Sequence, residues 1–343
     1  MHRNWHRKLI AAAVAALAST SAGAFNADGH QAIGNVADTL LVGTNAATRV
    51  RTILAGMSLK TASVWADCVK GVSSKDGVAF TYKSDDRQYP ECAVFGTADW
   101  KARNVSFVAR NWTQCGTAHG GEWCHNQYHY ADISTRREHY DPSYVGANDH
   151  DIVHSIAAAV AVLRGQPCPA PFQIANDVEA LMLLSHYVGD IHQPLHVEAL
   201  YLDATGRIVD PDKTGYDVRN DTAGGNLVYD GSVPFHREWD AIAEAIQVDG
   251  AGQPALLDKA RAVAPTPGDP STWSSQWATD TIAVGKTAFD RLRFYGNPSA
   301  VRQPEWVVWD EDERYRADAD AFKADQVAKA GARLAQLLQA IWP

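Results

Sequence analysis

The sequence predicts a mainly α-helical protein with one long loop-rich insertion and one short β-hairpin. Apolar residues recur at helical spacing through most of the chain, as Leu181, Leu184 and Val188 do. Residues 71–127 break this pattern, because they are rich in Gly, Asp, Asn and Trp and show no sustained periodicity, which indicates an ordered insertion. The stretch AGGNLVYDG at 223–231 combines turn residues with strand formers and predicts the hairpin.

The helices are predicted in order from the N-terminal side. A helix over 29–41 carries an apolar stripe that includes Ile33 and Val36, and Thr44 or Asn45 is suited to cap a second helix. A third, short helix is predicted at about 61–70, and YHYADI at 128–133 reads as an extended segment. Further helices are predicted at 149–163, from about 176, from about 236, and at 254–263, 272–292 and 317–341.

The first 24 residues have the pattern of a secretory signal. Three basic residues precede the apolar run 9–18, and Ala22-Gly23-Ala24 offers a small-residue cleavage site. The apolar run is too short to span a bilayer. We therefore expect a secreted or periplasmic protein without a membrane anchor, whose mature chain begins at Phe25 and forms one domain over 25–343.

The charge of the mature chain excludes a nucleic-acid binder that relies on a basic surface. Residues 25–343 hold 28 basic and 40 acidic side chains, a net charge of −12. Binding through the phosphate backbone normally requires clustered Lys and Arg. If the substrate is a phosphodiester, metal ions must supply most of the positive charge.

Five cysteines remain in the mature chain, and export makes disulfides plausible. The odd number leaves at least one cysteine unpaired or intermolecular. Cys115 and Cys124 bracket a short Gly-rich loop and are the preferred pair. A thiolate zinc cluster is the alternative, but no CxxC spacing supports it.

The stretch LMLLSHYVGDIHQPLH at 181–196 places polar groups on an apolar helix. His186 and Asp190 are four residues apart, so both side chains leave the helix on one side. Pro194 should end or kink the helix, and His196 follows it. Burying an imidazole and a carboxylate costs free energy unless they are paired or bind a metal. A hydrogen-bonded core pair and a metal site both remain open for this segment.

Other candidate ligands are weak individually. His236 and Asp240 repeat the spacing of four, which an exposed ion pair would also explain. Asp67 lies on a predicted helix, His129 lies between two tyrosines, and His30 lies close to the predicted mature terminus. Together they form an oxygen and nitrogen donor set that suits zinc.

In this order the landmarks resemble the tri-zinc single-strand nucleases of the S-one/P-one family, relatives of the bacterial zinc-dependent phospholipases C. The resemblance covers nearly the whole mature chain, and SHYVGDIHQPLH is its most specific element. The matching landmarks are FNADGH (25–30), VWAD (64–67), YHYAD (128–132), SHYVGDIHQPLH (185–196), GGN (224–226), HREWD (236–240) and AGARLAQLL (330–338).

The resemblance implies a helical domain around a cleft that holds three Zn²⁺ ions. The first ion would be held by Asp67, His129, His186 and Asp190. The second would be held by His196, His236 and Asp240. The third would take the amine and carbonyl of Phe25, His30, and the shared carboxylate of Asp190. His192 and His154 match no ligand position and are interpreted as structural or as partners of the ligands.

The same resemblance implies the chemistry. A hydroxide shared by two zinc ions would attack phosphorus, oriented by Asp67, while Lys70 meets the charge on the phosphoryl oxygens. Tyr130 would stack on a base and Asp132 would hydrogen-bond it, and Asn226 is assigned to substrate binding with them. The alternative is that Tyr130 is a core residue and Asp132 a partner of the ligands. The expected substrates are single-stranded DNA, RNA and nucleotides, acted on by a monomer that releases 5′-phosphorylated products and also has 3′-nucleotidase activity.

The sequence departs from the family pattern in three places. Phe25 stands where the family usually has Trp, which should be tolerated because the backbone ligates. Pro234-Phe235 replaces the usual Asn-Leu, and the insertion at 71–127 is longer than expected. Two other functions stay open: a phospholipase C-like phosphodiesterase, against which Asp240 in place of Glu argues, and a non-catalytic extracellular zinc-binding protein, against which Lys70 argues. Glycosylation at Asn104, Asn111 or Asn220 is undecided.

Overall fold

The computed structural model describes residues 25–85, 87–115, 122–297, 305–309 and 313–343; the predicted signal sequence and its cleavage site lie outside the described residues. Within these residues the protein is mainly α-helical, as the sequence predicts. The helices are α1 (Ala27–Leu40), α2 (Asn45–Ile53), α3 (Leu59–Ala62), α4 (Trp65–Cys68), α5 (Ala98–Arg110), α6 (Cys124–Gln127), α7 (Ile152–Leu163), α8 (Asp177–Asp190), α9 (Pro211–Thr214), α10 (Phe235–Asp240), α11 (Gln253–Arg261), α12 (Trp273–Phe289) and α13 (Glu313–Ile341). The strands are β1 (Val72–Ser74), β2 (Phe80–Tyr82), β3 (Ile133–Ser134), β4 (Glu198–Ala199), β5 (Val228–Asp230), β6 (Val233–Pro234), β7 (Arg293–Gly296) and β8 (Trp306–Trp309).

Helix α8 lies in the centre of the core. It begins after Asn176, whose side chain accepts a hydrogen bond from the backbone N–H of Glu179, and it is buried from Glu179 to Asp190. Helices α1, α3, α4, α7 and α13 pack around it. Because α8 is covered on all sides, its polar side chains face protein rather than water.

The predicted third helix, at about 61–70, is divided in the structure. It consists of α3, α4 and a 3₁₀ turn at Val69–Gly71. Between α3 and α4 the hydroxyl of Ser63 donates to the backbone oxygens of Lys60 and His30, both at 2.9 Å. These contacts hold the chain against α1, and they aim the Ser63 carbonyl at α8.

The insertion at 71–127 contains a helix that the sequence analysis missed. Helix α5 spans 13 residues and begins after Thr97, whose hydroxyl accepts from the N–H of Trp100. Its inner stripe includes the buried Asn104 between Trp100 and Phe107, so a polar side chain interrupts the apolar periodicity. The carboxamide of Asn104 accepts from the indole of Trp65 at 2.8 Å, which explains how it is buried without loss of hydrogen bonds.

Two disulfides include cysteines of the insertion. The predicted pair Cys115–Cys124 is confirmed, and Cys68–Cys92, which was not predicted, ties the insertion to α4. Cys168 is free. The two sequons inside the insertion are buried: the side-chain amide of Asn104 donates to the Phe95 carbonyl, and Asn111 is fully covered. A glycan on either asparagine would require the segment to open.

The strands form small sheets near the ends of helices. β1 pairs antiparallel with β2, and β3 pairs parallel with β4 through Ile133 and Glu198. A four-stranded sheet has the order β6-β5-β8-β7, with β5 and β8 parallel and the other pairs antiparallel. The predicted hairpin is its β5–β6 part, whereas β7 and β8 were not predicted.

The expected extended segment at 128–133 is wrong for most of its length, since only Ile133 lies in a strand. Residues 128–132 instead follow a turn that bonds to α7 and to the segment after α8, as in the hydrogen bond from Ala131 N to the His196 carbonyl at 2.9 Å. None of the described helices has the length and apolar composition needed to cross a membrane.

Candidate metal centre

The side chains of the predicted site meet at the end of α8. His186 and Asp190 leave the helix on the same side, as their spacing predicts, and both are fully buried. The helix ends at Asp190, before Pro194, which begins a 3₁₀ turn that contains His196. The ring of His196 donates from Nδ1 to the backbone oxygen of His129 at 2.8 Å, and this contact turns His196 back toward the helix end.

The first predicted ligand set is assembled from α4, the turn before β3, and α8. Nδ1 of His129 lies 2.9 Å from Oδ2 of Asp190 and 3.9 Å from Oδ1 of Asp67. Nε2 of His186 lies 3.2 Å from Oδ2 of Asp190 and 3.7 Å from Oδ1 of Asp67. The Nδ1 atom of His186 donates to the Ser63 carbonyl at 2.6 Å, which directs its Nε2 toward the carboxylates.

The second predicted set joins the turn after α8 to α10. Nε2 of His236 lies 3.6 Å from Oδ1 of Asp240, and Nε2 of His196 lies 4.0 Å from the same oxygen. The carboxylate of Asp240 also accepts from the amide of Gln193 at 2.8 Å. Burial, together with the Asp67 and Asp190 carboxylates, raises the pKa of Asp240 well above its usual range.

The third predicted set lies at the start of α1. Asn26 caps this helix and its N–H bonds the Asp240 carbonyl at 2.8 Å, so the buried Phe25 is held beside α10. Nε2 of His30 lies 3.1 Å from Oδ1 of Asp190, and the His30 ring stacks on His186 at 3.8 Å. The structure therefore brings the side-chain donors together in three overlapping groups: His30, His186 and Asp190; Asp67, His129 and His186; and His196, His236 and Asp240.

The arrangement of the donor atoms suits the binding of cations better than it suits hydrogen bonds between the side chains. Nε2 of His196 lies 3.0 Å from Nε2 of His236. Each ring donates from Nδ1 to a carbonyl oxygen, that of His129 or Gly224, at 2.8 and 2.7 Å. Burial lowers the pKa of both rings, that of His236 to about 3, so both are neutral and both Nε2 atoms carry lone pairs. Two facing lone pairs repel unless a cation lies between them.

His30 and Asp190 show the same mismatch. Within the described residues, neither ring nitrogen of His30 nor Oδ1 of Asp190 has a hydrogen-bond partner of acceptable geometry, although all three atoms are buried. A buried polar atom without a partner normally costs about 1–3 kcal/mol. A cation at this position would satisfy Nε2 of His30 and Oδ1 of Asp190, which lie 3.1 Å apart, and imidazole and carboxylate donors are those that zinc prefers.

A charged pair lies at the edge of the first group. Nζ of Lys70 is 2.7 Å from Oδ1 of Asp67, and the Lys70 side chain is 12% exposed. Burial opposes both charges, yet Lys70 and His186 hold the pKa of Asp67 below its usual range, and Asp67 raises the pKa of Lys70. The pair is therefore ionised and accessible from the cleft.

Two of the predicted base-binding residues, Tyr130 and Asp132, lie near the carboxylate of Glu122. Tyr130 is half-buried, so it is not a core residue, and its hydroxyl donates to Oε2 of Glu122 at 2.7 Å. Burial and the Asp221 and Glu122 carboxylates raise the pKa of Asp132 well above its usual range. Asn226 lies in the turn before β5, where its amide donates to the Ala223 carbonyl at 2.8 Å.

Two residues that matter for this site were missed from the sequence. Gln193 orients Asp240, and its place inside DIHQPLH could have drawn attention to it. Glu122 anchors Tyr130, but nothing in the sequence pairs a loop carboxylate with that ring. His192 and His154 contact other groups, as expected for structural residues: His192 accepts from Arg333 at 3.0 Å, and His154 lies 2.9 Å from Asp151.

Comparison with protein families gives one match. A family model described as S1/P1 Nuclease matches residues 25–343, which is nearly the whole chain. A comparison with proteins of curated function found no match.

Proposed function

Because the chain belongs to the S1/P1 nuclease family over residues 25–343, we propose that it is a secreted, zinc-dependent phosphodiesterase that hydrolyses single-stranded DNA or RNA. The products would carry 5′-phosphates, and we also propose 3′-nucleotidase activity. The observation that carries the metal assignment is the facing pair of neutral rings, His196 and His236, at 3.0 Å. In a hydrophobic core without a cation, two imidazole lone pairs that face each other would repel, so this arrangement supports a bound metal ion.

We assign three sets of zinc ligands: Asp67, His129, His186 and Asp190; His196, His236 and Asp240; and His30 and Asp190 with the backbone amine and carbonyl of Phe25. Bound zinc supplies Lewis acidity and water of lowered pKa at neutral pH. The protein fixes the ligands through backbone carbonyls: Ser63, His129 and Gly224 each accept a hydrogen bond from an imidazole Nδ1. These contacts set the tautomer and orientation of each ring.

Lys70 and Asp67 act on the reacting phosphate. Asp67, at the edge of the cleft, is placed to accept a hydrogen bond from the attacking water and so to orient it. The Lys70 ammonium, held charged by Asp67 at 2.7 Å, stabilises the negative charge that develops on the phosphoryl oxygens. Cations concentrated in one cleft allow a chain of net charge −12 to bind a polyanion.

Tyr130 and Asp132 hold the base next to that phosphate. The Tyr130 ring stacks on an unpaired base, and a base inside a duplex is not available for this contact, so single strands are preferred. The raised pKa of Asp132 favours a protonated carboxyl, which donates one hydrogen bond and accepts another. Asn226 completes the polar wall.

The location and assembly are part of the same proposal. Cleavage after Ala24 would release the Phe25 amine outside the cytoplasm, where the two disulfides form readily. The protein would act as a monomer, without a membrane anchor.

The proposal is tested by assaying the purified mature protein on single-stranded DNA, RNA and phosphatidylcholine, with chelator and after zinc is restored. We expect hydrolysis of both nucleic acids, loss of activity on extended chelation, recovery with zinc, and close to three zinc ions per chain by elemental analysis. Hydrolysis of the lipid alone would identify a phospholipase. Binding of zinc without hydrolysis of any substrate would identify a non-catalytic zinc protein.

A further inference from the structure

A pair of stacked tryptophans, one buried and one exposed, lies in the insertion. The rings of Trp112 and Trp123 are 3.9 Å apart between centroids and 18° from parallel. Trp112 is 6% exposed, whereas Trp123 is 37% exposed. The inner ring is further supported by Phe80, which meets it edge-on at 5.1 Å. Trp123 therefore presents an aromatic surface to solvent and is backed by the buried ring of Trp112.

The position of this pair is fixed by the surrounding backbone. Cys124 N donates to the Trp112 carbonyl at 3.1 Å, and His125 N donates to the Asn111 carbonyl at 3.0 Å. The Cys115–Cys124 disulfide joins the same two segments. A ring held in this way loses little conformational entropy when a ligand stacks on it.

The aromatic surface is connected to the candidate metal centre. Glu122, which directly precedes Trp123, accepts from the Tyr130 hydroxyl at 2.7 Å, and its backbone oxygen accepts from the Gln127 amide at 2.9 Å. Tyr130 directly follows the proposed ligand His129. Trp123 is thus one residue along the chain from the carboxylate that contacts Tyr130.

We propose that Trp123, backed by Trp112, is a second stacking position that binds an unpaired base further along the strand whose phosphate lies at the metal centre. This inference rests on the proposed function and extends it to substrate length. In the mature chain 40 acidic residues outnumber 28 basic ones, so its net charge of −12 does not attract the strand away from the metals. Stacking needs no charge and accepts any base, because every base has a π face.

The test compares a thymidine dinucleotide with a decathymidylate as substrates of the zinc-loaded mature protein. Trp123→Ala should raise KM for the decamer on the order of tenfold and leave kcat unchanged, since stacking on one aromatic ring contributes binding of that order. Hydrolysis of the dinucleotide should not change. Trp123→Phe, which keeps a ring, should restore most of the binding, and Tyr295→Ala, which removes a 49% exposed ring on β7, is the matched control.

The salt dependence gives a second readout. The ratio of decamer KM between Trp123→Ala and the unmodified protein should stay constant between about 50 and 200 mM salt, because stacking releases no counterions, unlike a phosphate contact. A decamer KM that is the same in both proteins would overturn the inference. So would an equal loss on dinucleotide and decamer, which would indicate a damaged centre instead of a second position.

Binding of a labelled decamer with non-hydrolysable linkages separates this inference from the proposed function. Binding that weakens in Trp123→Ala, in a protein that hydrolyses neither nucleic acid, would sustain the inference and reject the function. If Trp123→Ala leaves hydrolysis unchanged for substrates of every length, the inference would be rejected and the proposed function would be sustained. A protein that neither binds nor hydrolyses the decamer would reject both.

Discussion

The effect of Lys70 on turnover can be measured separately from the effect of the metal ligands around it. Its ammonium contacts Asp67 but is not itself a candidate ligand. We expect Lys70→Ala to lower kcat on the order of 10²-fold, the usual cost of one charged transition-state contact, with zinc content unchanged. Turnover and elemental analysis of the same sample would check this. Lys101→Ala, at an exposed position of α5, is the control, and a wild-type rate on every phosphodiester would refute the role of Lys70.

Asp190 is the carboxylate with the most donors around it. Its two oxygens lie 3.1 Å from His30, 2.9 Å from His129 and 3.2 Å from His186, so it lies between the first and the third predicted ligand sets. We expect Asp190→Asn, which keeps the shape, to lose more zinc than any other single substitution in the centre. Asp240→Asn is the comparison, since that carboxylate serves one group. The measurement is the number of zinc ions per chain in each variant. A greater loss of zinc from Asp240→Asn would contradict the assignment of Asp190 as the bridging ligand.

At the scale of elements, the start of α1 links processing to metal binding. The nitrogen of Phe25 is an amide before cleavage and has no free lone pair, whereas after cleavage it is an amine with an ordinary pKa near 8 that a metal can hold deprotonated. Adding one Gly ahead of Phe25 in the mature protein should therefore lose about one zinc and most activity. Three zinc ions and full activity in the extended protein would exclude the N-terminal ligand. Our hypothesis is that signal removal activates the enzyme.

Helices α1 and α13 pack so closely that replacing a helical glycine by alanine should destabilise the protein instead of stabilising it. Gly to Ala inside a helix normally stabilises by about 1 kcal/mol. A Cβ at Gly331, however, would lie 2.5 Å from Cγ1 of Val36. We expect Gly331→Ala to lower the free energy of unfolding by about 1–3 kcal/mol, measured in urea. In a Val36→Ala background, where Cγ1 is removed and Cβ at 2.6 Å remains, the same substitution should cost less; equal losses in both backgrounds would show that the contact with Cγ1 is not the cause.

For the molecule as a whole, the buried imidazoles predict how stability depends on pH. Burial lowers the pKa of His125, His129 and His236 to about 3, against 6.5 when exposed. Between these values the unfolded chain binds more protons than the folded one, so stability rises with pH and is lost on acidification. We expect chelated protein to lose about 1 kcal/mol per such ring between pH 7.5 and 5.5.

The contribution of one ring can be isolated, because His125 is not a candidate ligand. Burial raises the pKa of Asp132 and Asp240, and these carboxyls change stability in the opposite direction. Urea unfolding is measured at pH 7.5 and 5.5 for the chelated protein and for its His125→Gln variant. The contribution of the carboxyls is the same in both proteins, so it cancels in the difference between them. The variant should show the shallower pH dependence, and identical slopes would mean that His125 is not buried as a neutral ring.

The sequence by itself determined the helical class, a cap at Thr44 or Asn45, the start of the central helix at about 176, and the common direction of His186 and Asp190. These features depend on residues a few positions apart, so local spacing and capping chemistry are sufficient to predict them. The order of the landmarks also identified the family. The same local reasoning failed at α5, because the buried Asn104 interrupts its apolar stripe and its partner Trp65 is distant in sequence.

Only the tertiary structure decided which groups face each other. The 3.0 Å approach of His196 to His236 joins two segments 40 residues apart, and the Ser63 carbonyl that orients His186 lies 123 residues away from it. The contact of Glu122 with Tyr130 and the stacking of Trp112 on Trp123 likewise depend on how the insertion folds back. Such contacts are set by the packing of whole elements, which the spacing of residues within one segment does not specify.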